Sequence, residues 1–213
     1  MLELKSYSMS EMIDIFSINN PQNLERTLRG YKIDFTKTGN GQNANYNITA
    51  INDELRLFCI LDLGFDSRTD MRKLTNFLYL LLNNDEFVNM PEVYKETMLM
   101  DENRYVSRQT IARYTEKLKE ANLIADGDFI YYFIKNNRRK KTSRKKYNKA
   151  WREYFEDKAN GASSSEAILK MLLNYGGYAR KYAPPEQNAI ERDTINYLND
   201  LVLERIQKEY EPE

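Results

Sequence analysis

Val106 to Lys149 reads V-S-R-Q-T-I-A-R-Y-T-E-K-L-K-E-A-N-L-I-A-D-G-D-F-I-Y-Y-F-I-K-N-N-R-R-K-K-T-S-R-K-K-Y-N-K. Ser107 is a good N-cap residue for a helix on which Ile111, Tyr114, Thr115 and Leu118 share one face and Gln109, Arg113, Glu116 and Glu120 lie opposite. A short hairpin signal, A-D-G-D-F-I-Y-Y-F-I, comes next. The run then turns basic, with nine Lys/Arg and no Asp/Glu between Lys135 and Lys149. A helix with a polar face, a β-hairpin and a basic arm, in that order, point to a DNA-binding element.

Upstream of it the chain offers a second, similar arrangement. Ser8 and Glu11 form a capping-box pattern ahead of Met12, Ile15 and Phe16. Asn20 is the N-cap of a second helix with Pro21 in its first position, where a missing N–H costs nothing. On that helix Leu24, Thr27, Leu28 and Tyr31 face inward, and Gln22, Arg26 and Arg29 face out. Alternating residues on both sides of G-N-G, Gly39 to Gly41, predict a hairpin whose turn needs positive φ. Shifted by 87 residues, Gln22, Leu24 and Arg26 fall on Gln109, Ile111 and Arg113, a weak internal repeat that suits two copies of one architecture.

Residues 104 to 134 resemble the winged helix-turn-helix superfamily, in which a Ser-capped recognition helix is followed by L-I and a hairpin; residues 8 to 49 resemble it more loosely. Two such units in tandem are similar in plan to plasmid replication initiators, and one unit with a helical tail to phage replisome organisers. The fold class expected is therefore mainly α with small β-wings (α+β). The domains expected are a first winged helix over 1–52, a second over 65–137, and a basic arm with a helical C-terminal region over 138–213.

Between and beyond these units the pattern is helical. Leu55 to Leu63 reads as a buried strand or short helix, and a capped helix from near Asp66 or Ser67 carries Leu74, Phe77, Leu78 and Leu81. A short helix runs from Pro91 to about Met98, and a basic one from about Ser143 to Asp157 has Trp151, Tyr154 and Phe155 as its apolar positions. Ser163 and Glu166 form another capping box, before a helix ending at Gly176-Gly177. A loop with Pro184-Pro185 leads to a last helix from Glu186 to about Tyr210, whose stripe Ile195, Leu198, Val202 and Ile206 suits pairing of two subunits.

Composition narrows the chemistry. The chain has 213 residues, 41% hydrophobic and 30% charged, with 32 Lys/Arg balanced by 32 Asp/Glu, so positive field is local to one patch. There is no histidine, which removes His-ligated zinc and Ser-His or Cys-His nucleophile pairs. The one cysteine, Cys59, sits in an apolar run and reads as a buried hydrophobe. Asp62, Asp66 and Asp70 flank a loop without marking a metal site, and neither G-x-x-x-x-G-K-[ST] nor G-x-G-x-x-G occurs. Among the 16 tyrosines and nine phenylalanines, Tyr46, Phe129, Tyr131 and Phe133 sit at core-like positions rather than forming a stacking platform. No run approaches the ~20 apolar residues of a membrane span, and the N-terminus lacks the apolar core of a signal peptide.

The expectation is a cytoplasmic, non-enzymatic protein without cofactor or metal, binding double-stranded DNA in transcription regulation or replication initiation of a phage- or plasmid-like element. A homodimer is the expected assembly, with a replication or transcription protein as a further partner. The alternative is an adaptor whose winged helices dock a replication, transcription or defence protein. At the second recognition helix Ser107, Arg108, Gln109, Thr110, Arg113 and Lys117 are the candidate contacts, since Arg pairs with guanine O6/N7 and Gln with adenine N6/N7. Gln22, Asn23, Arg26 and Arg29 are their counterparts in the first unit. Arg138, Arg139, Lys140, Lys141, Arg144, Lys145 and Lys146 would hold phosphates and add affinity without sequence information.

Overall fold

A computed structural model describes residues 2–102, 104–183 and 192–210, and they fall into two units. The first comprises residues up to Met71 together with the chain from Asp200 onward; the second runs from Arg72 to Asn199. The architecture is mainly helical with two small three-stranded antiparallel sheets, an α+β composition.

In the first unit β1 (Ser6–Ser8) leads directly into α1 (Met9–Ile15). The capping box forms as its residues dictate: Glu11 N–H donates to Ser8 Oγ at 3.2 Å, and Ser8 N–H donates to Glu11 Oε2 at 2.7 Å. Asn20 Oδ1 accepts the Gln22 N–H at 3.0 Å, opening a 3₁₀ turn over Pro21–Asn23 that continues as α2 (Leu24–Gly30). The strands β2 (Ile33–Thr38) and β3 (Asn45–Ile51) form the expected hairpin, and β1 adds to it in the order β1-β3-β2. Along β3 the alternation is clean, with Tyr46 and Ile48 buried and Asn45, Asn47 and Thr49 exposed. Gly39 stands at φ +77°, and a Cβ there would lie 2.6 Å from the Asn43 carbonyl oxygen, so only glycine fits this turn. Met12, Leu24, Leu28, Ile33, Tyr46 and Leu57 make the core. Leu57 comes from α3 (Glu54–Leu61), a helix capped by Asp53; it also buries Cys59 completely, and burial pushes that thiol up to about 12.

The first helix of the second unit is α4 (Met71–Asn83), all but its first residue lying in that unit. It starts later than Asp66 or Ser67, because Asp66 Oδ1 accepts the Arg68 N–H at 2.7 Å in a turn and is spent there. Two short helices, α5 (Asp85–Asn89) and α6 (Glu92–Asp101), precede α7 (Arg108–Glu120); the first of them was not foreseen from the sequence. Then come β4 (Ile130–Lys135), β5 (Arg138–Thr142), α8 (Arg144–Ala159), α9 (Ser164–Tyr175) and β6 (Tyr178–Tyr182).

The second sheet revises the expected organisation. Its hairpin turn lies at Asn136-Asn137, both at positive φ (49° and 60°), ten residues past the Asp-Gly that the sequence suggests. Asparagine tolerates that region, and such a pair matches the twist of a two-residue hairpin. The basic run is consequently no free arm: Arg138 to Thr142 pair with Lys135 to Tyr131 as one edge of the sheet β5-β4-β6. The stretch expected to be a loop after Gly177 supplies the other edge, β6, with Ala179 opposite Phe133. Residues 138–183 and 192–199 thus fall in the second unit rather than in a separate C-terminal region.

The last helix, α10 (Arg192–Tyr210), has its early part in the second unit and its later part in the first. Leu198 and Val202 of its apolar stripe are buried, and Ile195 and Ile206 are half-buried. The Pro184-Pro185 loop and the helix start placed at Glu186 lie outside the described residues.

Gly177 is where β6 closes on β4. A Cβ there would lie 2.8 Å from Ile134 N and 3.0 Å from the Ile134 carbonyl carbon, against backbone that cannot step aside. Gly177→Ala is expected to cost about 1–3 kcal/mol, as overpacking does. A thermal melt checks it, and an unchanged midpoint would mean that the two strands have room to spare.

Candidate nucleic-acid interface

The start of α7 is fastened by local bonds. Ser107 Oγ accepts the Thr110 N–H at 3.4 Å and lies 3.0 Å from Thr110 Oγ1, so both hydroxyls are engaged in the cap. The Arg108 N–H, another donor of the first turn, reaches Glu96 Oε1 on α6 at 3.0 Å. Ile111, Tyr114 and Leu118 are buried, which turns Gln109, Ala112 and Arg113 outward. Further along, Lys117 pairs with Glu120 at 2.6 Å and Lys119 with Glu116 at 2.9 Å. The second half of the helix is therefore self-neutralised, and Lys117 is a weaker candidate than the sequence suggests. Exposed Arg108, Gln109 and Arg113 remain as groups whose side chains can turn to a base edge.

The seven cations that follow are divided between two elements. Arg138, Arg139, Lys140 and Lys141 occupy the exposed edge strand β5. Their register puts Lys140 opposite Phe133 and Lys141 opposite Tyr132, so the four alternate between the two faces of the sheet. Arg139 lies over the Tyr182 ring at 5.0 Å. Arg144, Lys145 and Lys146 fill the first turn of α8, capped by Ser143, whose Oγ accepts the Lys146 N–H at 3.3 Å. A helix N-terminus carries partial positive charge and favours anions, so three cations and no acid in that turn are arranged against the helix's own dipole. None of the seven pairs with a carboxylate among the described residues. Arg108 of α7 and Arg144 and Lys145 of α8 border the same cavity, so the two helix starts flank one opening.

In the first unit Gln22, Asn23, Arg26 and Arg29 are all exposed, as expected. Arg29 lies over Phe35 at 6.0 Å and 3.9 Å from Glu25, which also takes Lys37 at 2.8 Å. Arg26 forms no ion pair among the described residues. The caps Asn20 and Ser107 obey the same 87-residue offset as the exposed residues, although Asn20 caps the 3₁₀ turn that precedes α2 whereas Ser107 caps α7 directly.

Among the described residues no group of three or more His, Cys, Asp or Glu could hold a metal ion, and no helix is long and apolar enough to cross a membrane. Tyr46 and Phe133 are core residues and Tyr131 stacks at a tilt on Tyr147 with ring centroids 4.8 Å apart. Comparison with protein-family models, with curated proteins and with solved structures finds no match for this chain.

Proposed function

We propose that the chain is a non-enzymatic, sequence-specific binder of double-stranded DNA that regulates transcription or initiates replication of a phage- or plasmid-like element. The observation that carries this reading is the set of seven cations on β5 and the start of α8, unpaired by any carboxylate among the described residues. Charge placed against a helix dipole and left unneutralised is costly unless an anion completes it, and DNA phosphate is such an anion. The exposed Arg108, Gln109 and Arg113 at the capped start of α7 supply base readout.

The tandem winged-helix reading belongs to the same proposal. In each unit a short helix, a turn and a second helix precede an antiparallel hairpin: α1, α2, β2 and β3 in one, α6, α7, β4 and β5 in the other. Two subunits would place recognition helices on half-sites about one helical turn apart.

Selection of bound sequences from a random duplex pool tests the reading, and a palindromic motif is the expected result. On the selected site Gln109→Ala and Arg113→Ala should each cost about 1–3 kcal/mol and relax preference at one base position. A chain that enriches no sequence and binds no duplex at low salt would sink the proposal.

A further inference from the structure

Within the second unit lies a cavity of about 1340 Å³, larger than most small-molecule sites. Its wall is mostly aliphatic and aromatic, including Leu78, Leu82, Leu118, Ile124 and Phe129. Several cations rim the opening, and the two most deeply buried of those that line it, Lys95 and Lys181, share one carboxylate oxygen. Lys95 Nζ is 3.0 Å and Lys181 Nζ 3.1 Å from Glu92 Oε1. Glu92 faces water with 53% of its side chain exposed, whereas the lysine side chains are 5% and 13% exposed. The cations are thus the buried partners. Each also covers an aromatic face, Lys95 that of Phe87 and Lys181 that of Phe129, both at 5.0 Å.

Two positive charges on one negative leave one uncompensated where charge is expensive. The strain on Lys95 has the expected sign: burial, only partly offset by Glu92, pulls its ammonium down to about 8. A second unmet group lines the same space, Thr115 Oγ1 of α7, which is buried without a hydrogen-bond partner among the described residues. An apolar body with one negative head answers all three features.

We infer that this cavity binds a monoanionic amphiphile, a carboxylate on a long apolar chain, with its head on Lys95 and Lys181 and its chain along Leu78, Leu118 and Phe129. Thr115, Leu118 and Lys119 of α7 line the cavity from behind the exposed Gln109 and Arg113, so the ligand touches the helix proposed to read DNA. The ligand site stands on the cavity and the lysines alone; its control of α7 rests on the DNA-binding reading.

Calorimetric titration of the full chain with sodium dodecanoate tests the site, with dodecanol and butyrate as probes lacking the charge or the chain. Saturable one-to-one binding of dodecanoate is expected, at least tenfold tighter than either control. Lys181→Met should weaken it at least tenfold while leaving the melting midpoint within a few degrees, and Lys181→Arg should restore most of it. No saturable binding, or equal binding by dodecanol or by Lys181→Met, overturns the inference. In a separate arm, saturating dodecanoate should lower affinity for the selected duplex at least threefold. A chain that binds dodecanoate and no DNA keeps the site and loses the DNA reading; one that binds DNA and not dodecanoate does the reverse. One that binds both without coupling keeps the site and loses its control of α7.

Discussion

On the proposed DNA-binding reading, replacing Arg138, Arg139, Lys140 and Lys141 together by glutamine is expected to lower affinity for duplex DNA by roughly 10²-fold at about 0.1 M salt. Each phosphate contact contributes about 0.9 to the slope of log K against log salt, which at that concentration is close to a factor of eight. Because the four alternate between two faces of β5, one duplex meets one face squarely, and the slope should become shallower by about two rather than four. The pairs Arg138 with Lys140 and Arg139 with Lys141 should therefore be unequal when neutralised separately. Filter binding between about 50 and 200 mM salt reads both quantities. An unchanged slope in the quadruple variant would remove β5 from the interface.

The largest expected loss of stability is at Trp151. Its ring is fully buried and meets Tyr154 at 5.3 Å, Tyr178 at 5.6 Å and Phe155 at 6.4 Å between centroids, so it ties α8 to β6. Trp151→Ala leaves a large cavity and should cost about 3–5 kcal/mol, a sizeable share of the roughly 5–15 kcal/mol that holds a domain together. Trp151→Phe should cost far less than that. Trp151 Nε1 is buried without a hydrogen-bond partner among the described residues, so losing the N–H sacrifices no bond and removes an unsatisfied donor. Denaturant titration followed by circular dichroism separates the two, and equal losses would refute the account of the N–H.

What could be read from the sequence was local. The caps at Ser8, Asn20, Ser107 and Ser163 and the inward positions Leu24, Leu28, Ile111, Tyr114 and Leu118 each depend on residues within one or two turns, and all are as expected. What escaped was non-local. Strand β6, Y-A-R-K-Y, carries one fully buried residue, Ala179, and its pairing with β4 depends on a partner more than forty positions away. Four cations in a row show no apolar alternation, so β5 looked like an arm although its neighbour β4 makes it a strand. Of the candidate site, the exposed face of α7 was legible, whereas the shared carboxylate of Lys95 and Lys181 was not, since β6 had to be placed first.

The edge position of β5 has a consequence apart from any ligand. An unpaired strand edge is a template on which a second chain can add its own strand, and proteins guard such edges with charge. Two copies meeting along β5 would bring Arg138 to Lys141 against themselves, four positive charges on four, with no carboxylate among the described residues to relieve them. Charge on these four residues therefore disfavours edge-to-edge pairing of folded copies, and replacing them by apolar side chains would remove that repulsion.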